Sequence, residues 1–292
     1  MTAVILCADD FGLTEAVSAA IVELALHRRL SATSAMVTTS AWSRSAAYLT
    51  NDLRARIAVG LHINLTLGQP LTKMPRFAPH GTFPGIDRLV RRSMLRHLDA
   101  AELRGEIAAQ IARFEADVGT LPDVLDGHQH VHALPVVRQA LVDALADFAW
   151  SQPPLIRSPS DTFMNICRRR WDIGKAVGIA ALTAGFRREI MRRRLPTNDT
   201  FAGASSFSRR RPYNEELRAA MISPGRCHLV MCHPGRIDEA LRRLDSVVER
   251  REDEYEALMS NAELPERILH PLRSSANGTI DWMTLCGVDQ RS

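Results

Sequence analysis

The chain has 292 residues, of which 46% are hydrophobic and 24% charged, and its formal net charge is +4. That length and composition suit one large α/β domain or two small ones and exclude a disordered chain. The small net charge and the 5% aromatic content leave little for phosphate neutralisation or base stacking, so nucleic acid is not an expected partner.

Val4 to Ala8 is a short apolar run that reads as a buried strand, and it delivers Asp9-Asp10-Phe11-Gly12. Val17, Ile21 and Leu24 then recur at helical spacing behind a Thr14 cap, with Glu15 in the first turn. Thr33 to Thr38 reads as a second strand, and Ser40-Ala41-Trp42 opens a helix running to about Leu53. Ile57 to Leu61 is a third strand leading to His62, followed by an ordered loop, Asn64 to Pro70, and a Pro/Gly-rich excursion from Pro75 to Gly85. Helical spacing resumes through Leu89, Met94, Leu98, Leu103, Ile107, Ile111 and Phe114. Pro122 to Asp126 is a fourth strand, which runs into Gly127-His128-Gln129-His130-Val131-His132, and Pro135 to Phe148 is the next helix. Leu155-Ile156-Arg157 is a short strand, Arg168 to Arg194 an arginine-rich helical region, Cys227 to Cys232 a late strand delivering His233-Pro234-Gly235, and Leu241 to Met259 helical. Strands alternating with helices predict a parallel sheet with right-handed crossovers, and the number of units favours a closed or nearly closed (β/α) barrel, TIM-like. No run approaches the roughly 18 apolar residues that span a bilayer. The first residues enter a strand without a secretion-signal pattern. The five cysteines form no CxxC pair; Cys7, Cys227 and Cys232 read as buried thiols in a reducing compartment, so the expected location is cytoplasmic.

The polar residues fall at the ends of strands: Asp9 and Asp10 after the first, His62 after the third, His128 after the fourth, Arg157 after the fifth and His233 after the late one. In a β/α barrel those ends meet on one face. A lone histidine after a strand is commonly a surface or capping residue. His128, His130 and His132 at period two are read as pointing to one side of an extended segment. Adjacent carboxylates repel one another, and a cation beside them resolves the repulsion. Two imidazoles and one carboxylate make a facial metal site accepting zinc, cobalt, iron or manganese, whereas magnesium prefers oxygen ligands. The second carboxylate of the Asp-Asp pair is then free as general base and a separate histidine as general acid. Arg157 either orients the base or binds a developing oxyanion. Together these are the parts of metal-assisted hydrolysis of an amide or ester.

With those residues in hand, the chain resembles the YdjC-like carbohydrate deacetylase family. The resemblance rests on Ala8-Asp9-Asp10-Phe11-Gly12, Val59-Gly60-Leu61-His62, Asp126-Gly127-His128-Gln129-His130-Val131-His132 and Met231-Cys232-His233-Pro234, in matching order and spacing. It implies a distorted (β/α) barrel similar to polysaccharide deacetylases. It also implies one divalent metal ion on Asp10, His62 and His128, with Asp9 as base and His233 as acid. Members are described as magnesium-dependent, while the imidazole ligands suit zinc or another transition metal. The family often has His or Lys where Gln129 stands, and Gln129 is expected to face away from the metal. The expected chain is a single domain over residues 1–292 with insertions near 73–119 and 160–212.

The expected reaction is removal of the N-acetyl group from an acetylated amino sugar, either an oligosaccharide or a glycolipid. The rival readings are a metal-dependent phosphoesterase, which needs a second metal and more carboxylates, and a non-catalytic sugar-binding protein. Basic ends (Arg168-Arg169-Arg170 and Arg192-Arg193-Arg194) flank an apolar stretch, Ala176 to Phe186. That pattern extends the expectation to a lipid-linked substrate with peripheral membrane contact; a homodimer is a separate partner expectation.

Overall fold

A computed structural model describes residues 3–273 and 278–287. Its centre is one sheet of seven strands: β1 (Ala3–Phe11), β2 (Ala32–Ala35), β3 (Ala58–Ile63), β4 (Val124–Gly127), β5 (Leu155–Ile156), β6 (Thr200–Ala202) and β7 (Cys227–Cys232). Their spatial order is β5-β4-β3-β2-β1-β7-β6, and every pair is parallel. The sheet curls until its edges meet. Ile156 of β5 forms a lone bridge with Thr197, just before β6, and its N–H donates to Pro196 O at 2.9 Å. Asn198 completes the seam, accepting from Ser158 N at 2.7 Å and donating to Ser158 O at 2.9 Å. The fold is therefore the expected distorted α/β barrel, built on seven strands.

Alternation along each strand sorts its side chains between two cores. Leu6 and Ala8 of β1, Val59 and Leu61 of β3, and Val230 of β7 face the surrounding helices. Ile5 and Cys7 of β1, Ala58 of β3, Val124 of β4, Leu155 of β5 and Leu229 and Met231 of β7 fill the interior, where Ile280 and Trp282 pack against them. Strands buried on both faces are continuous apolar runs, as β1 and β7 are. Continuing the interior parity along each strand gives Asp9, His62, Asp126, Arg157 and His233.

Several helices expected to be continuous are divided. The 40–53 region holds two short helices, Trp42–Ala46 and Asn51–Arg56, the second capped by Thr50. The 89–114 region is Ile86–Met94 and Ala100–Val118, with Arg96 left-handed at φ 56° and Asp99 capping the second helix. The arginine-rich region is three helices, Phe163–Arg169, Ile173–Leu182 and Phe186–Arg192, parted by left-handed Arg170, Asp172 and Gly185. The last is Glu239–Leu244 and Glu249–Ser260. In the 89–114 region the periodicity carries through the break because both pieces pack on one core, through Leu89 and through Leu103 and Ile107.

One cysteine expectation is corrected. Cys7 and Cys232 are buried and free, but Cys227 is disulfide-bonded to Cys286, their Cα atoms 5.0 Å apart. The pairing arises because the Trp282–Cys286 helix packs beside the start of β7, an approach that sequence spacing does not reveal. No helix among the described residues is long and apolar enough to cross a membrane.

Gly60 tests the strand packing. A Cβ there would stand 2.4 Å from Val124 O and 2.7 Å from Val124 Cβ. Gly60→Ala is expected to destabilise the fold by about 1–3 kcal/mol through forced strand separation. Urea unfolding measures it, and an unchanged midpoint would contradict the close approach of β3 and β4.

Candidate active site

Asp9 and Asp10 would point to opposite faces of a regular strand. The β1–β2 register shifts between Ala8 and Phe11, and Asp10 is left-handed at φ 65°. This bulge turns the second carboxylate to the same end of the barrel as the first. Both are 1% exposed, as is His62, which arrives from β3.

The groups form two sets that share His62. In the first, Asp10 Oδ1 lies 3.3 Å from His62 Nε2 and 3.0 Å from His128 Nδ1. One donor atom from each of these residues can be chosen so that all lie within 4.8 Å of one another. Asp126 accepts from His62 Nδ1 at 2.6 Å, leaving Nε2 aimed at Asp10. A carboxylate behind an imidazole fixes its tautomer and raises its basicity as a ligand. In the second set, Arg157 Nη1 donates to both oxygens of Asp9, at 2.6 and 2.9 Å, and ion-pairs with Asp126 at 2.9 Å. His62 Nε2 is 4.0 Å and His233 Nε2 3.8 Å from Asp9 Oδ2. Ser34, an interior residue of β2, lies 3.1 Å from His62 Nδ1.

The site opens into a cavity of about 400 Å³ whose wall includes Asp9, Asp10, His62, His128 and His233. Arg157 is fully buried and absent from that wall. From there its Nη1 reaches the Asp9 carboxylate, the contact that an orienting role requires.

The histidine run departs from expectation. Residues 128–133 form a 3₁₀ turn rather than an extended segment, with Gln129 and His130 left-handed at φ 53° and 61°. The three imidazoles therefore diverge. His128 meets Asp10, His130 packs on Phe201, and His132 turns into the core against Phe186 with Nε2 2.7 Å from Arg157 O. Gln129 does not face away: it is exposed and lines the same cavity.

The electrostatics suit a bound cation. Asp9, Asp10 and Asp126 are buried with two buried arginines, Arg157 and Arg251, which leaves one negative charge unmatched. Burial pulls the His62 pKa down, yet Asp126 and Asp9 outweigh it and raise it to about 10. Burial raises Asp10, but Arg251 and then His128 overcome this and hold it well below the carboxylate range. Burial prevails at Asp9, which is raised, and at His233, which is held well below 6.5. A proton on His62 and a divalent ion beside its Nε2 answer the same field. Two imidazole nitrogens and a carboxylate oxygen are a donor set for a divalent transition metal.

Sequence reasoning missed four participants. Ser34 follows the interior parity of β2 and could have been found from it. Arg251, which donates to Asp10 Oδ2 at 2.6 Å, and its partner Asp245 come from the late helical region and carried no signal. Glu254 likewise reaches back to accept from the His233 backbone N–H at 2.6 Å.

The chain is similar to known proteins along most of its length. A family model described as YdjC-like protein matches residues 3–264. A chitooligosaccharide deacetylase of Salmonella typhi is 30% identical over 277 residues, covering 90% of this chain and 94% of that protein. A chitooligosaccharide deacetylase of Proteus mirabilis (strain HI4320) is 34% identical over 150 residues, 51% of this chain and 56% of the relative. A carbohydrate deacetylase of Mus musculus is 36% identical over 148 residues, 48% and 46% of the two chains. The match thus spans about half the length of the latter two relatives. A crystal structure from Enterococcus faecalis V583, described as a proposed cellobiose-phosphate cleavage protein, superposes with a TM-score of 0.70 at 20% identity. It covers 98% of this chain and 99% of its own, and shows the same fold.

The buried charges set a pH dependence. Burial pushes Glu254 from 4.5 up to about 8, and His62 rises from 6.5 to about 10. Both bind a proton more tightly folded than unfolded. Their contributions to stability are therefore lost as pH rises, Glu254's between 4.5 and about 8 and His62's between 6.5 and about 10. Chelator-treated protein is expected to melt at a lower temperature at about pH 9.5 than at about pH 7.5. A melting temperature that is level or rising over that interval would contradict a protonated His62.

Proposed function

The chain belongs to the YdjC-like family, and from that premise we propose that it is a metal-dependent carbohydrate N-deacetylase, hydrolysing the acetamide of an amino sugar. The observation that carries the proposal is the meeting of Asp9, Asp10, His62, His128 and His233 on one cavity wall. The deacetylase names of the relatives, one of them aligned over 90% of this chain, support the substrate class.

Asp10, His62 and His128 would hold the ion. Bound there, a divalent metal polarises the acyl oxygen and acidifies water. Asp9 is the general base. Burial makes its carboxylate more basic, and Arg157 keeps it oriented with both oxygens engaged. His233 is neutral in the resting site and 3.8 Å from Asp9. It can therefore receive the proton that Asp9 takes from the attacking water and pass it to the departing amine nitrogen. His233 so acts as the acid of the second half of the reaction. Asp126 sets the His62 ring and Glu254 holds the His233 backbone.

In this reading the chain is one domain over residues 1–292, and the segments 73–119 and 160–212 select the substrate. Ile86, Lys175, Ile179, Ser205 and Phe207 of those segments line the cavity. A phosphoesterase reading lacks support, since the spare carboxylate Asp126 is already engaged by His62 and Arg157. A purely binding role leaves the paired base and acid without a purpose.

Replacing Asp9 by Asn or His233 by Ala is expected to keep metal and to lower acetate release from N-acetylated chitooligosaccharides about 10²–10⁴-fold. His62→Ala or His128→Ala should lose both metal and activity. Elemental analysis beside an acetate assay reads both, and full metal content in either histidine variant would sink the ligand assignment.

A second reading, of substrate, rests on the Ile173–Leu182 helix, which has no fully buried residue while its Lys175 and Ile179 line the cavity. Phe163, Met164, Ile173, Leu182 and Met191 are exposed nearby in sequence, among exposed Arg168, Arg170, Arg188, Arg192 and Arg193. Apolar side chains among arginines suit an anionic lipid surface, where each basic residue contributes about 1 kcal/mol, and so a lipid-linked amino sugar. Wild-type protein is expected to sediment with phosphatidylserine vesicles at low salt, and a Phe163→Ser/Met164→Ser variant to stay in the supernatant. Equal sedimentation of the two proteins would remove the membrane reading and leave the deacetylase reading intact.

A further inference from the structure

Asp10 is held in a way that the bulge alone does not explain. Its left-handed backbone, φ 65° in a non-glycine residue, costs about 1–3 kcal/mol and persists only where the surroundings impose it. The side chain then has two equivalent oxygens, and a carboxylate left to itself can rotate or offer both to one ion. Here they are divided. Oδ1 faces His62 Nε2 and His128 Nδ1 at 3.3 and 3.0 Å, while Oδ2 accepts from Arg251 Nη2 at 2.6 Å.

Arg251 is itself fixed. It lies in the Glu249–Ser260 helix, 241 residues from Asp10, with a side chain 1% exposed. The same Nη2 donates to Asp245 Oδ2 at 2.6 Å, and Nε donates to Val247 O at 3.0 Å and to Asp245 Oδ2 at 3.2 Å. Its backbone carbonyl accepts from Gly235 N at 3.0 Å, which ties the helix to the loop after His233. Arg251 Nη1 is buried without a hydrogen-bond partner. The guanidinium is thus locked from behind and spends its forward-facing nitrogen on one oxygen of Asp10.

We propose that Arg251, braced by Asp245, is a positioning residue that withholds Asp10 Oδ2 and presents Oδ1 alone to the cation shared with His62 and His128. This rests on the metal-site reading above and adds to it. A one-oxygen carboxylate leaves coordination positions open for water and for the acyl oxygen, which a chelating carboxylate would take up. Lysine cannot substitute fully, because a single ammonium does not reproduce the planar fork that reaches Asp10, Asp245 and Val247 together.

The test is Co²⁺ binding by chelator-stripped full-length protein, read by visible absorption and by equilibrium dialysis, on wild type, Arg251→Gln, Arg251→Lys and Asp245→Asn. Arg251→Gln is expected to weaken Co²⁺ binding about 10–100-fold, the usual consequence of removing a group that orients a ligand. Arg251→Lys should recover part of that loss. Asp245→Asn, which alters a residue at the cavity edge, should weaken binding in the same direction and change the ligand-field bands while the metal-free protein melts as wild type does. Co²⁺ affinity and spectra equal to wild type in folded Arg251→Lys and Asp245→Asn would overturn the role of Arg251 alone. Wild-type protein that takes up no Co²⁺ would overturn the metal site and this role with it.

Discussion

Three carboxylates are buried where the strands end, and most of what surrounds them answers their mutual repulsion. Asp9, Asp10 and Asp126 are each at most 1% exposed. A buried anion is tolerated only when paired. Arg157 serves Asp9 and Asp126 from inside the barrel, and Arg251 serves Asp10 from the late helix. The remaining negative charge falls on His62, whose raised pKa expresses the demand for a cation between the two sets. The same field that would be unfavourable in an empty core is what would bind a metal ion, strengthen Asp9 as a base and anchor the imidazoles.

The barrel supplies that arrangement through one repeated geometric rule. Interior positions on each strand are apolar at the bottom, including Ile5, Cys7, Val124, Leu155 and Leu229, and become polar at the top. The rim groups at Asp9, Ser34, His62, Asp126, Arg157 and His233 are the next inward positions. The bulge at Asp10 is the departure from the rule, and it doubles the carboxylates available from β1. A pair of adjacent acidic residues could not converge on one site from a regular strand.

Segments laid over that rim form part of the cavity wall. The Ile173–Leu182 helix and residues 203–207 are stapled together, with Asp172 accepting from Ser206 N at 2.5 Å and Lys175 bonded to Ser205 O. Lys175 lies over the Phe207 ring, and that ring meets the His233 imidazole edge-on at 4.9 Å. The wall that would contact a sugar is therefore mechanically linked to a group that would move its proton. Changes in the 160–212 segment can consequently alter turnover as well as recognition.

Much of the candidate site is legible in the sequence, because strand ends are marked by apolar runs and the groups that follow them are of few chemical types. Asp9, Asp10, His62, His128, Arg157 and His233 were readable in this way, as was the parallel α/β architecture. Parity also contained Ser34 and the orienting place of Asp126, since side-chain direction in a strand is a local property. What the tertiary structure alone decided lies where distant segments meet or the backbone leaves its regular course. Arg251, braced by nearby Asp245, acts on Asp10 from 241 residues away, and Glu254 reaches back to His233; no local pattern marks a charge that is buried only by folding. The turn at His128–Ala133 sends three histidines in three directions because Gln129 and His130 adopt left-handed conformations, so period two did not apply. The Cys227–Cys286 bond likewise depends on where the Trp282–Cys286 helix packs. Sequence determined which chemistry stands at the strand ends, through residue type and strand period. The tertiary structure decided how each group is aimed, because aim depends on charge pairing and backbone conformation that arise only when remote segments come together.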